Sequence, residues 1–150
     1  MLRDRIATDI KTAMKARDAR TLATVRLIQS AVNDRDIANR GTGKPAASEE
    51  EILQILAKMI KQREESARLY VDGGRQDLAD KEREEIAVIE TFLPKQLSEE
   101  EVKAAAAAAI AETGAQGMRD MGKVVGLLKQ RHAGQMDFSR ASAIVKALLT

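Results

Sequence analysis

The chain has 150 residues, a formal net charge of +2, no cysteine and only 2% aromatic residues. The lack of cysteine excludes disulfides, thiolate metal sites and a cysteine nucleophile, and the few aromatic residues favour a core of packed helices over a β-sandwich. No stretch approaches the about 18 uncharged apolar residues of a membrane span, and the charged N-terminal segment lacks a signal-peptide apolar run, so we expect a soluble, cytoplasmic protein with no membrane partner.

Four helices are predicted in the N-terminal part of the chain, because apolar residues recur there every three to four positions. A loop rich in Gly, Pro and Ser separates the second helix from the third, and the paired glycines of DGG end the third. Ser48 and Glu51 have the spacing of a capping box at the start of the third helix. We expect Glu82 of the fourth helix to pair with Lys61 or Arg63 of the third. The four predicted ranges are 2–16, 19–39, 48–71 and 75–92.

Pro94 marks the boundary between two predicted domains. Proline lacks an N–H and disfavours helical backbone at Leu93, so the fourth helix should end there. Ser98 and Glu101 form a second capping box just beyond it. Three shorter helices are then predicted over 98–113, 118–132 and 137–149. The predicted fold class is therefore all-α, with an N-terminal four-helix domain over residues 1–94 and a small three-helix domain over residues 95–150.

No catalytic residue, cofactor or metal ligand is predicted. His132 is the only histidine, and no partner that would orient it as a general base is evident, so its position near a helix C-terminus is better explained by the helix dipole. The sequences RGTGKP and DGGR match neither a P-loop nor a dinucleotide-binding fingerprint. The two SEEE sequences are typical of acidic residues at helix starts.

The sixth predicted helix, DMGKVVGLLKQR, has two glycines in its interior. Gly122 and Gly126 each cost about 1 kcal/mol relative to alanine, and they lie one turn apart on the same face. The bare backbone allows either close crossing by another helix, such as the alanine-rich fifth helix, or close approach of a large ligand. The residues alone leave both interpretations open.

Basic residues surround these glycines. Residues 114–150 carry six Lys or Arg against two Asp, and phosphate is the polyanion that such a surface suits. Anions are also favoured near a helix N-terminus, where Arg119 and Lys123 lie. The scarcity of aromatic residues argues against a platform on which single-stranded bases stack. Four cations fall close together in sequence: Arg119, Lys123, Lys129 and Arg131.

Three segments of the chain form a recognisable pattern: MGKVVG (121–126), IVKALL (144–149) and LPKQLSEEE at the domain junction, with Gly134 between the first two. Together they resemble the GatB/YqeY family. The C-terminal part is similar to the tail domain of the B subunit of aminoacyl-tRNA amidotransferases, and the N-terminal part to the helical domain of stand-alone YqeY-like proteins. In the amidotransferases this tail packs against the tRNA body, whereas other domains and a separate subunit carry the chemistry. Phe138 departs from the pattern, because the family commonly has glycine there.

The resemblance implies a non-catalytic module that binds tRNA or another structured RNA. By resemblance Gly122, Lys123 and Gly126 would contact the RNA, and charge adds Arg119, Lys129 and Arg131. The sequence contains neither a Ser-Lys amidase motif nor a kinase-like nucleotide-binding domain, so independent carbon–nitrogen ligase activity with glutamine is not expected. The alternative is an accessory subunit that docks on an amidotransferase or another protein. We expect a monomer.

Overall fold

The computed structural model describes all 150 residues and contains seven α-helices and no strand. This confirms the all-α fold predicted from the sequence, and the helix ends fall within three residues of the predicted ones. A 3₁₀ turn over Met118–Asp120 precedes the sixth helix. The helices are α1 (Leu2–Lys15), α2 (Ala19–Gly41), α3 (Glu49–Asp72), α4 (Gln76–Glu90), α5 (Glu99–Thr113), α6 (Met121–Arg131) and α7 (Phe138–Leu149).

The chain forms two compact units, Met1–Leu93 and Pro94–Thr150, called here unit 1 and unit 2. Unit 1 contains α1 to α4, and its core is mostly aliphatic because the periodic Ile, Leu and Val residues of these helices face one another, with Phe92 as its buried aromatic residue. Ile28, Leu56 and Ile89 are completely buried, and burial of each such side chain stabilises the fold by about 1.5–3 kcal/mol. No helix of either unit is long and apolar enough to cross a bilayer.

Two polar predictions for unit 1 need correction. Ser48 accepts a hydrogen bond from the Glu51 N–H at 3.1 Å, but the Glu51 carboxylate accepts one from the buried Asn39 amide at 3.0 Å. The capping box is therefore only half formed, because a donor from α2 engages the acid that would complete it. This hydrogen bond from Asn39 also lowers the pKa of Glu51.

The ion pair between α3 and α4 forms with a different acid from the one predicted. Arg63 Nε donates to Glu85 Oε2 at 2.9 Å, whereas Glu82 takes no part. Both partners are largely covered, with 16% and 22% of their side chains exposed. The sequence correctly predicted that Arg63 forms an ion pair between α3 and α4. Its partner is Glu85, however, and not the predicted Glu82 three residues earlier.

Unit 2 contains α5, α6 and α7 packed around Val124, Leu128 and Val145, which are almost completely buried. Ala106 and Ala141 are fully buried as well, because a methyl side chain lets the backbones of neighbouring helices approach closely. The capping box predicted at Ser98 is complete at the start of α5. The geometry of α6 therefore depends on a core made of small and branched aliphatic residues.

Candidate nucleic-acid interface

Gly122 and Gly126 lie on the solvent-facing side of α6. Both are exposed, and a β-carbon at either position would meet no atom within 4 Å beyond its own helix. The interpretation that these glycines allow another helix to cross closely is therefore wrong for this chain, because α5 packs against a different side of α6. The two residues form an open stretch of bare backbone, called here the glycine strip.

Two lysines flank the glycine strip. Lys123 precedes Gly126 by three residues and Lys129 follows it by three, so the lysines lie on either side of the strip on an α-helix. The ion pairs of unit 2 join Lys103 to Glu99 and Arg131 to Glu112, which leaves Lys123 and Lys129 without a carboxylate partner. We call Gly122, Lys123, Gly126 and Lys129 the α6 face.

Phe138 lies close to one of these lysines. The Lys129 Nζ is 6.0 Å from the centroid of the Phe138 ring, which is the outer limit of a cation–π contact. Phe138 is the first residue of α7 and is half-buried. The residue that departs from the family pattern thus provides an apolar surface beneath the Lys129 side chain.

Arg131 lies away from the glycine strip, on the side of α6 that faces α5. Its Nη2 donates to Glu112 Oε1 at 2.5 Å. This hydrogen bond lowers the pKa of Glu112 and raises that of Arg131. The structure therefore places Arg131 in an intramolecular ion pair and does not bring it to the α6 face with Lys123 and Lys129.

The backbone just before α6 is more tightly wound than the α-helix predicted there. The sequence predicts helix from residue 118, but Met118–Asp120 forms a 3₁₀ turn, and the Asp120 carboxylate accepts from the Gln116 N–H at 3.1 Å. Asp120 consequently does not cap α6. Arg119 is exposed on this turn, near the first turn of α6, where the free backbone N–H groups favour an anion.

The C-terminal end of α6 contains one residue that was predicted to be structural and one that was not predicted. His132 follows the last residue of α6, and its Nδ1 is 3.0 Å from Gln135 Oε1, which agrees with a structural position. Gln130 is exposed four residues after Gly126, so it extends the row of the glycine strip. The spacing of four residues was the signal that could have identified Gln130 from the sequence.

The whole chain matches a known family. The model of the family described as Yqey-like protein matches residues 3–149. A relative named altered inheritance of mitochondria protein 41, mitochondrial, from Vanderwaltozyma polyspora is 34% identical over 85 residues, which is 57% of this chain and 44% of that protein. The protein of the same name from Clavispora lusitaniae is 33% identical over 100 residues, covering 65% of this chain and 56% of that protein.

A third relative, from Schizosaccharomyces pombe, has no function in its name. It is 30% identical over 86 residues, which is 57% of this chain and 67% of that protein. The aligned segment spans about half the length of the two relatives named above. The names of the Vanderwaltozyma polyspora and Clavispora lusitaniae proteins refer to inheritance of mitochondria and to a mitochondrial location, and they state no ligand.

Proposed function

The chain belongs to the YqeY-like protein family, and from this premise we propose that it binds tRNA or another structured RNA through α6 without catalysing a reaction. The observation that carries the proposal is the α6 face, where bare backbone lies between two lysines that have no carboxylate partner. A glycine strip allows a sugar–phosphate backbone to approach the helix more closely than any side chain would permit. Lysines at its flanks then contact phosphates as point charges.

The proposed mode of recognition is by shape and charge. Double-stranded RNA is bound mostly through phosphate and 2′-hydroxyl contacts, which do not read base sequence. Lys123 and Lys129 supply the phosphate contacts, and Arg119 adds a third near the start of α6. In this proposal Arg131 contributes little, because Glu112 already neutralises it.

Salt dependence of tRNA binding tests this proposal in the full-length chain. Each phosphate contact contributes about 0.7–0.9 to the slope of log affinity against log salt. The variant Lys123→Ala/Lys129→Ala should bind more weakly, with a slope reduced by about 1.4–1.8. Arg131→Ala serves as the comparison, and we expect its slope to stay close to that of the wild type.

Two results would contradict the proposal. The first is that the wild-type chain fails to bind tRNA at low salt. The second is that removal of both lysines leaves affinity and slope unchanged, since the α6 face would then not be the binding surface. A loss of about 0.7–0.9 in slope for Arg131→Ala would instead show that the Glu112 ion pair opens when RNA binds and that Arg131 then contacts one phosphate.

Docking on an amidotransferase or another protein remains the second candidate. Unit 1 exposes large apolar side chains, including Leu69 and Ile37, which are 71% and 64% exposed. An accessory subunit would use such side chains as contacts. RNA binding that is absent from the purified chain but appears with an added protein partner would favour this candidate.

The cellular compartment is part of the proposal. The sequence predicts a cytoplasmic protein, whereas two of the three fungal relatives described above are named as mitochondrial. We propose that the chain acts wherever its RNA is present, because the α6 face requires only a structured polyanion. The cytoplasm and mitochondria both contain tRNA, so this binding mode fits either location.

A further inference from the structure

A second cationic surface lies in unit 1, where α1 ends and α2 begins. Lys11, Lys15 and Arg17 are all exposed there. Lys11 and Lys15 are four residues apart on one face of α1, where like charges repel and destabilise the helix. Arg17 follows in the turn, and we call these three residues the cationic corner.

The carboxylates nearest in sequence do not neutralise the cationic corner. Asp9 pairs with Arg5 at 3.8 Å, and Asp18 accepts hydrogen bonds from the backbone N–H and the hydroxyl of Thr21 at 3.1 and 2.6 Å. Other arginines of unit 1 do have carboxylate partners, among them Arg3, Arg20, Arg35, Arg63 and Arg75. None of the three residues of the cationic corner forms an ion pair, and Arg17 differs in this from most arginines of unit 1. The cationic corner is therefore a local cluster of uncompensated charge.

The backbone of Arg17 provides an independent observation. Arg17 has φ 56° and is the only non-glycine residue in the chain with positive φ. It closes α1 by a Schellman motif, in which the Asp18 N–H donates to Ala13 O at 3.0 Å and the Arg17 N–H donates to Met14 O at 3.2 Å. A side chain at this left-handed position strains the turn.

The same chain uses glycine at the equivalent position of two other helices. Gly43 after α2 and Gly74 after α3 both have φ 75°. They close the same motif, since the Lys44 N–H donates to Asn39 O at 2.8 Å and the Arg75 N–H donates to Tyr70 O at 2.7 Å. The helix dipole favours a cation near the end of α1, but it does not require that cation at the strained position. A strained residue of this kind points to a role for its side chain.

We propose that the cationic corner is a second phosphate-contacting surface for the RNA that α6 binds. This inference rests on the proposed function and extends it to unit 1. Three exposed cations without carboxylate partners suit a sugar–phosphate backbone, which is recognised by charge and position and not by base sequence. The chain then contacts RNA through both units, and Arg17 occupies a backbone conformation that glycine would adopt with less strain.

The test separates a role in binding from a role in folding. Full-length Arg17→Gly should have a melting temperature higher by about 2–4 °C, because the strain is relieved. The same variant should bind tRNA with a salt slope reduced by about 0.7–0.9, and Lys11→Ala/Lys15→Ala should lose about twice that slope. The matched control is Lys58→Ala/Lys61→Ala, which removes two exposed lysines of α3 and should leave the slope unchanged.

The possible failures are distinguishable. If wild-type binding depends on Lys123 and Lys129 but Arg17→Gly and Lys11→Ala/Lys15→Ala keep the wild-type slope, the second surface is overturned and the proposed function stands. If the wild-type chain does not bind tRNA, both are overturned. Vesicles of anionic lipid provide a further comparison. If removal of the cationic corner weakens binding to these vesicles but leaves tRNA binding unchanged, the inference is also overturned.

Discussion

At the scale of single residues, Asp36 links three separate segments of unit 1. Its carboxylate accepts from Arg3 Nη1 and Nη2 at 2.9 and 2.6 Å, and from the Ala47 N–H at 2.8 Å. Arg3 also donates to Ala47 O at 3.0 Å. One acidic residue of α2 therefore holds the start of α1 and the end of the loop that leads into α3.

This arrangement gives Asp36 a pH-dependent contribution to stability. The hydrogen bonds from Arg3, together with the Ala47 N–H, lower the pKa of Asp36 to about 2, whereas an unfolded aspartate has a pKa of about 3.9. Because the folded pKa is the lower one, the contribution is fully present above about pH 4 and is lost as the pH falls through about 2.

We expect Asp36→Asn to lower the urea midpoint of unfolding at pH 7 and to decrease the loss of stability between about pH 4 and pH 2. Urea titrations across this range compare the variant with the wild type. Glu51, whose pKa is also lowered, is present in both proteins and does not account for a difference between them. The same pH dependence in both proteins would show that Asp36 is not responsible.

At the scale of helices, the pairing of α3 with α4 depends on which acid reaches Arg63. Arg63 also donates to Met59 O at 3.2 Å, so its guanidinium is held both by its own helix and by Glu85. Removing the carboxylate would leave a largely covered cation without its partner.

We therefore expect Glu85→Ala to lower the free energy of unfolding by about 1–2 kcal/mol. Glu82→Ala is the matched control, since it removes a half-buried glutamate three residues earlier on the same helix, and its effect should stay within about 0.5 kcal/mol. Chemical denaturation of both variants measures the difference. Equal losses would contradict the specific pairing of Arg63 with Glu85.

Helix positions were predictable from the sequence because they depend on local signals. Apolar periodicity, the cap at Ser98 and the glycines of DGG are all read within a few residues. The partners of long charged side chains were not predictable, because they depend on how helices pack. Arg63 reaches Glu85, and Arg131 reaches Glu112, across helix pairs whose relative rotation no local pattern specifies.

The candidate site was predictable only in part for the same reason. The spacing of Gly122 and Gly126 placed them on one face, but whether that face was covered depended on the packing of unit 2. The strained backbone of Arg17 left no signal in the sequence, since the KARDAR segment lacks the glycine that normally indicates a left-handed turn.

At the scale of the whole molecule, the two surfaces proposed to bind RNA do not belong to the buried cores. Unit 1 and unit 2 each bury their own aliphatic cluster, and the surfaces proposed to bind RNA lie on exposed parts of α1 and α6. Substitutions on these surfaces should therefore change binding without unfolding the chain. Gly122 and Gly126 allow the most stringent test of this separation. An alanine methyl group at either position would meet no atom within 4 Å beyond its own helix, and alanine favours the helical backbone.

The most direct measurement compares stability and tRNA affinity of full-length Gly122→Ala/Gly126→Ala with those of the wild type. Each alanine should stabilise α6 by about 0.5–1 kcal/mol, because glycine loses more backbone entropy on folding. If RNA lies against the bare backbone, the same variant should bind tRNA roughly fivefold more weakly, which corresponds to about 1 kcal/mol. A more stable protein with unchanged tRNA affinity would contradict the proposal that α6 binds RNA through its glycine strip.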